Sequence, residues 1–237
     1  MFYRIMRILA CALSLAVLGV WPAAAAETTD FQLGREYVEV PRHLAGKDDN
    51  RIEVIAFFWY GCPHCYAVEP QINAWAAKLP PDVRFLRLPA KFNPTTDFHA
   101  RIFMTLEALG SGPESQAKVF RIFQDEGRFI NDKEALPGLA KDLKLDPQAF
   151  VATFNSQAVQ ARMKALDKLM AAYDLPGVPA MVVAGKYRFD IGTARGPDGM
   201  LKLADHLIDR ERRAREGKNQ AALGFGRQPL TFKQVNL

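Results

Sequence analysis

Two cysteines, Cys62 and Cys65, have the spacing of a redox pair in this chain of 237 residues. They follow an apolar run that ends at Gly61 and open a segment with helical periodicity. At a helix N-terminus, unpaired N–H groups and the helix dipole lower the pKa of a thiol. The second cysteine lies one turn further along the same face, within reach of a disulfide. The spacing therefore predicts a pair that opens and closes.

Residues 1–26 have the three parts of a secretory signal peptide. Arg4 and Arg7 provide a positive start, residues 8–20 an apolar core, and residues 24–26 a small-residue cleavage site. A membrane anchor is the alternative, but the apolar core is shorter than the ~20 residues that span a bilayer. We therefore expect cleavage and export.

Export would leave Cys62 and Cys65 as the remaining thiols, because Cys11 is removed with the signal. A lipoprotein cleavage box before Cys11 is less favoured, since the apolar run continues past it. Disulfides persist in exported proteins, but a bridge that closes so small a loop adds little stability. We therefore expect the pair to have a chemical purpose.

Half of a zinc site is another interpretation of two cysteines at this spacing. Zinc needs about four ligands, and the chain offers no second cysteine pair. Three further histidines are scattered along the sequence, and we expect them at the surface: His43, His99 and His206. The sequence thus predicts no metal site.

The net charge gives little reason to expect a nucleic-acid partner. The formal charge of +5 falls to +3 when Arg4 and Arg7 leave with the signal. A weak and dispersed charge is not the pattern of a nucleic-acid surface. One basic group is expected at the end of the final helix, near the negative end of its dipole: Arg210, Arg212, Arg213 and Arg215.

The first part of the mature chain reads as strand, strand, helix, strand. Residues 37–40 suit an edge strand, and residues 52–59 suit a central strand because they are almost continuously apolar. A helix over residues 62–78 and a strand over residues 83–88 then complete a right-handed parallel crossover. Pro70 is expected to kink that helix.

The middle of the chain has helical periodicity over residues 97–173, which predicts an inserted helical domain. Strands return at residues 180–184 and 187–191 around a two-residue turn, Gly185-Lys186, and a helix with Leu201, Ala204 and Ile208 follows. The predicted divisions are a thioredoxin-like domain over 27–95 and 175–216, the helical domain over 96–174, and a tail over 217–237.

Two motifs resemble the DsbA family of bacterial thiol–disulfide oxidoreductases. Cys62-Pro63-His64-Cys65 is similar to the family's active site, and Gly177-Val178-Pro179-Ala180 is similar to its cis-proline loop. A C-x-x-C pair between a strand and a helix is also the thioredoxin-like context. The resemblance implies an α/β thioredoxin fold with an inserted all-helical domain. One departure is Ala56, where the best-known members have a buried acid.

The resemblance also implies the roles of the site residues. Cys62 would be the nucleophile, Cys65 the resolving thiol, and Pro179 a cis-proline that exposes the edge around Val178 to substrate. His64 can hydrogen-bond to the thiolate and attract it when protonated. Three aromatic residues could line a groove for unfolded substrates or belong to the core: Trp59, Tyr60 and Tyr66.

By this resemblance the chain is expected to be a periplasmic dithiol oxidase that acts on newly exported proteins. It would need no bound cofactor, and a quinone-linked inner-membrane partner like DsbB would re-oxidise it. A monomer is expected, because about ten residues before the first strand leave no room for the dimerisation domain of known isomerases. The alternatives are a disulfide isomerase or reductase, and a thioredoxin-like chaperone or copper metallochaperone.

Overall fold

The computed structural model describes residues 31–41 and 50–224, with side chains through residue 218. The predicted signal peptide, His43 and residues 225–237 lie outside the described residues.

A mixed five-stranded sheet forms the centre of the fold, in the order β1-β5-β4-β2-β3. Its strands are β1 (Val38–Glu39), β2 (Ile52–Phe58), β3 (Val83–Pro89), β4 (Ala180–Val183) and β5 (Tyr187–Asp190). The β2 and β3 strands are parallel, whereas β4 pairs antiparallel with β2 and β5, and β1 pairs antiparallel with β5. The predicted edge position of β1 and central position of β2 are confirmed.

The helices occupy three places in the chain. They are α1 (Pro63–Ala76), α2 (Pro94–Ala108), α3 (Pro113–Gln124), α4 (Leu136–Asp142), α5 (Pro147–Phe154), α6 (Gln157–Tyr173) and α7 (Pro197–Gly224). The α1 helix connects the parallel strands β2 and β3, as the sequence predicts. Five helices, α2 to α6, separate β3 from β4 in the chain, and α7 follows the last strand.

The continuous apolar run of β2 is explained by burial on both faces of the sheet. Ile55 and Phe57 pack in the core that includes the α2 to α6 helices. Val54 and Ala56 point the other way, into a core shared with α1 and α7. Successive strand residues face opposite sides, so a strand covered on both faces needs apolar residues throughout.

Two helix ends show how single residues cap a helix. Asp146 caps α5, because its carboxylate accepts a hydrogen bond from the Ala149 N–H at 2.6 Å. The α6 helix ends at Tyr173 and is followed by Asp174, whose φ of 48° is left-handed. An aspartate tolerates this conformation better than most residues.

The β4–β5 turn differs from the prediction by one residue. Its central residues are Ala184 and Gly185, with φ of 55° and 63°, and the Lys186 N–H donates to the Val183 oxygen at 3.0 Å. Two positive φ values are typical of the turn that matches the twist of a hairpin. Ala184 therefore belongs to the turn and not to the strand.

The final helix is longer than predicted and extends seven residues past Gly217, to Gly224. The basic group consequently lies within the helix and not at its end. Arg212 pairs with Asp82 at 2.9 Å, and Arg215 donates to the Asn50 oxygen at 2.6 Å. These two arginines connect α7 to the segments that precede β2 and β3, and they do not lie at the helix end where they would interact with its dipole.

Candidate active site

Cys62 is the N-cap of α1, which follows directly from the way β2 ends. The strand stops at Phe58, and the Cys62 N–H closes a tight turn by donating to the Trp59 oxygen at 3.0 Å. Cys62 has extended backbone angles, and its sulfur accepts a hydrogen bond from the Cys65 N–H at 3.3 Å. A side-chain acceptor is typical of an N-cap, and here that acceptor is a sulfur. Pro63 at the first helical position has no N–H to leave unpaired.

The surroundings of Cys62 lower its pKa from an ordinary 9.0 to about 6. The largest cause is a hydrogen bond from the Cys65 thiol, which burial of Cys62 opposes. The backbone N–H groups of Cys65 and His64 add to the lowering, and the charge of the exposed His64 contributes less. The thiolate form is therefore favoured at neutral pH, mainly by hydrogen bonds at the helix start.

The pKa of Cys65 shifts in the opposite direction to that of Cys62. Its hydrogen bond to Cys62, its burial and the neighbouring thiolate all raise the pKa of the Cys65 thiol well above the ordinary value. Both cysteines are free thiols in this structure. The pair thus shares one proton, with the charge on Cys62 and the hydrogen on Cys65.

The loop before β4 contacts the cysteines, although it lies 116 residues further along the chain. The Val178-Pro179 peptide bond is cis, as expected from the sequence. The Val178 oxygen lies 3.6 Å from the Cys62 sulfur and accepts a hydrogen bond from it only when Cys62 is protonated. Val178 is half-buried and Pro179 is buried. The backbone carbonyl of Val178 therefore borders the sulfur of Cys62.

The three aromatic residues near the cysteines have different environments. Tyr60 is fully buried and packs on Phe58 and Phe120, so it belongs to the core and not to a groove. Tyr66 is half-buried, and its hydroxyl donates to Asp125 at 2.8 Å. Trp59 is also half-buried and contacts the helical segment.

His99 is buried, which corrects the prediction that it lies at the surface. It accepts a hydrogen bond from the Trp59 indole at 2.7 Å and is within 2.9 Å of the Asn131 amide oxygen. Burial lowers the pKa of His99. The sequence held no signal for this placement, because both partners are distant in the chain.

A charged pair lies beside Ala56, where the family's buried acid is missing. Arg87 is the β3 residue in register with Ala56, and it forms an ion pair with Glu69 of α1 at 2.9 Å. Burial raises the pKa of Glu69, and the Glu69 charge in turn raises the pKa of Cys65. Glu69 was missed from sequence, although its position four residues after Cys65 places both on one helix face.

Within residues 31–41 and 50–218, no cluster of three or more histidine, cysteine or acidic side chains could hold a metal ion. Among the described helices, none has the length and apolar character needed to cross a bilayer.

The sequence and the fold are both similar to those of known proteins. A family model described as a DSBA-like thioredoxin domain matches residues 53–207. The thiol:disulfide interchange protein DsbA of Azotobacter vinelandii is 43% identical over 201 residues, which are 85% of this chain and 94% of that protein. The protein of the same name from Pseudomonas aeruginosa is 44% identical over 190 residues, or 80% of this chain and 90% of the relative.

Solved structures of DsbA proteins are also similar to this chain. The crystal structure of Pseudomonas aeruginosa DsbA has a TM-score of 0.76 at 44% identity and covers 79% of this chain and 97% of that one. The oxidoreductase DsbA from Xylella fastidiosa has a TM-score of 0.70 at 30% identity and covers 75% and 95%. These similarities confirm the predicted α/β class, a thioredoxin fold with a helical insertion.

Proposed function

The chain belongs to the DsbA-like family of thiol:disulfide oxidoreductases, and from that membership we propose that Cys62 and Cys65 are its redox-active pair. The oxidised protein donates their disulfide to reduced, newly exported proteins in the periplasm. The observation that carries the proposal is the pKa of Cys62, lowered to about 6 at the start of α1. A thiolate this stable is a good leaving group, which favours disulfide donation.

The transfer takes place in two exchanges. A substrate thiolate attacks the Cys62 sulfur, the Cys62–Cys65 bond breaks, and Cys65 leaves and takes up a proton because of its raised pKa. A second substrate thiolate then attacks the substrate sulfur of the mixed disulfide and expels Cys62 as a thiolate. The substrate dithiol becomes a disulfide, and the protein pair is reduced by the same two electrons.

The remaining site residues are proposed to position the substrate and the thiolate. The Val178 edge, bordered by Pro179, pairs with extended substrate backbone beside Cys62, a mode that edge strands commonly use. Pro63 starts the helix, and His64 stabilises the Cys62 thiolate through its backbone N–H and its charge. Trp59 and Tyr66, both half-buried, form apolar contacts with unfolded substrates.

The cellular setting is part of the proposal. Residues 1–26 direct export and are cleaved, and the mature chain acts as a monomer without a bound cofactor. A DsbB-like inner-membrane oxidase, linked to quinones, re-oxidises it. The division into residues 27–95 with 175–216 and residues 96–174 remains our proposal for its domains, whereas the predicted start of a tail at residue 217 falls inside α7, which continues to Gly224.

A Cys65→Ala variant tests the function, because it removes the thiol that resolves the mixed disulfide. We expect it to accumulate mixed disulfides with exported proteins through Cys62, and we expect the wild-type pair to have an oxidising reduction potential. Cys62→Ala is the control and should trap nothing. A strongly reducing potential with no trapped protein would instead support a reductase, and tight copper binding by the pair would support a metallochaperone.

A further inference from the structure

A hydrogen-bonded chain through the buried His99 links the active-site turn to the helical segment. His99 of α2 is 1% exposed. Its ring lies nearly parallel to the Trp59 indole, at an angle of 14° with 6.0 Å between centroids, and is perpendicular to the Phe123 ring at 4.6 Å between centroids. The Trp59 indole N–H donates to Nδ1 of His99 at 2.7 Å, and Nε2 of His99 lies 2.9 Å from Oδ1 of Asn131.

The partners determine which nitrogen of His99 carries the proton. An indole N–H is only a donor, so Nδ1 of His99 must be the bare nitrogen. Nε2 then carries the hydrogen and donates it to the Asn131 oxygen. Both ring nitrogens are satisfied in this neutral tautomer, as a buried polar ring requires. The arrangement holds the indole of Trp59 in one orientation.

The orientation of Trp59 matters because its indole and its backbone both contact the turn before Cys62. The indole packs so closely on Gly61 that a Cβ there would lie 2.3 Å from a ring atom. The Trp59 oxygen accepts the hydrogen bond from the Cys62 N–H at 3.0 Å. A rigid indole therefore restrains the turn that carries the Cys62 sulfur.

We propose that His99 is a positioning residue of the active site: it holds the Trp59 indole against Gly61 and so orients Cys62 for thiol exchange. His99 contacts neither sulfur nor substrate, and it acts through a residue 40 positions away in the chain. The proposal rests on the proposed function, since it assigns His99 a part in the same exchange.

Three variants separate the hydrogen bond from simple packing. His99→Phe keeps a ring but removes the acceptor, and Trp59→Phe removes the donor. His99→Gln offers an oxygen to Trp59 and an N–H to Asn131, as neutral histidine does. We expect His99→Phe and Trp59→Phe each to slow oxidation of a reduced peptide about fivefold, the effect of one neutral hydrogen bond. We expect His99→Gln to restore the rate to within about twofold of wild type.

Two controls accompany the rates. The indole N–H resonance of Trp59 in the NMR spectrum should move in His99→Phe and stay near its wild-type position in His99→Gln. Trp75 is the internal reference, because its indole donates to Asp205 at 2.8 Å and should be unchanged. His206→Gln, on α7, should leave the oxidation rate as in wild type.

The double variant His99→Phe/Trp59→Phe should be no slower than either single variant, since both remove the same bond. A double variant whose loss of rate equals the product of the two single losses would overturn the proposal. A wild-type oxidation rate in His99→Phe would also overturn it. If His99→Phe does not fold, Trp59→Phe and His99→Gln decide by the same criteria. The rate of Cys62 alkylation in the reduced protein, measured in parallel, should show the same pattern and would still test His99 if the oxidase function failed.

Discussion

Glu69 and Arg87 form an ion pair at 2.9 Å between α1 and β3, beside Ala56. Both side chains are largely buried, with 12% and 17% of their surface exposed. Arg87 also donates a hydrogen bond to the side-chain oxygen of Asn73 at 2.9 Å. The acidic charge near Cys65 therefore comes from the helix and not from the central strand.

Removing that charge should ease the departure of Cys65. Glu69→Gln should lower the pKa of Cys65, because the Glu69 charge raises it, and a thiol of lower pKa leaves faster. We expect faster attack of a small thiol on the oxidised protein, by up to about tenfold. Stopped-flow measurement of that step tests this. Glu126→Gln removes a partner from an exposed ion pair and is the matched control.

The same variant should be less stable than wild type, because it leaves the Arg87 charge without its ionic partner. We expect a loss of about 1–3 kcal/mol in the free energy of unfolding, against less than about 0.5 kcal/mol for Glu126→Gln. Equal stabilities of the two variants in urea would contradict this assignment.

The reduced protein should be more stable than the oxidised one at neutral pH. Folding lowers the pKa of Cys62 from 9.0 to about 6, so the thiolate adds stability that is complete above pH 9. That contribution decreases as the pH falls and is lost below about pH 6, and the disulfide form never has it. Melting temperatures of both forms between pH 5 and pH 9 measure the effect.

A serine in place of Cys62 supplies the control for this pH dependence, since it forms no thiolate in that range. Its melting temperature should lack the reduced protein's gain toward high pH. A difference between the reduced and oxidised proteins that is constant from pH 5 to pH 9 would show that Cys62 is not the source.

Gly61→Ala should disturb the active-site turn. The new Cβ would lie 2.3 Å from the Trp59 ring, so the indole has to move and its bond to His99 is strained. We expect a shifted Trp59 indole resonance and oxidation of a reduced peptide at least about fivefold slower. An alanine variant with the wild-type resonance and rate would be inconsistent with the close packing of Trp59 on Gly61.

Two other glycines should respond to alanine in opposite directions. At Gly199 a Cβ would lie 1.8 Å from the backbone oxygen of Ala194, so the backbone must shift and we expect a loss of about 3 kcal/mol or more. Gly138, inside α4, has no atom within 4 Å of a new Cβ. Gly138→Ala should therefore stabilise the protein by about 0.5–1 kcal/mol. Urea unfolding of both variants compares them directly.

The sequence by itself determined the features that depend on neighbouring residues. Cys62 begins a helix because Gly61 ends an apolar run and Pro63 suits the first helical position. Asp146 caps α5 for a similarly local reason. The pattern of β2 also predicted a central strand, since its residues are apolar from Val54 to Phe58.

Tertiary structure decided which distant residues meet at that helix start. The Val178 oxygen and the Cys62 sulfur are brought to 3.6 Å, a distance that the motifs alone do not contain. His99 was predicted at the surface because the histidines are scattered along the sequence, yet packing buries it against Trp59. Burial and hydrogen bonding depend on contacts between segments far apart in the chain, and these contacts exist only once the helical segment has packed on the sheet.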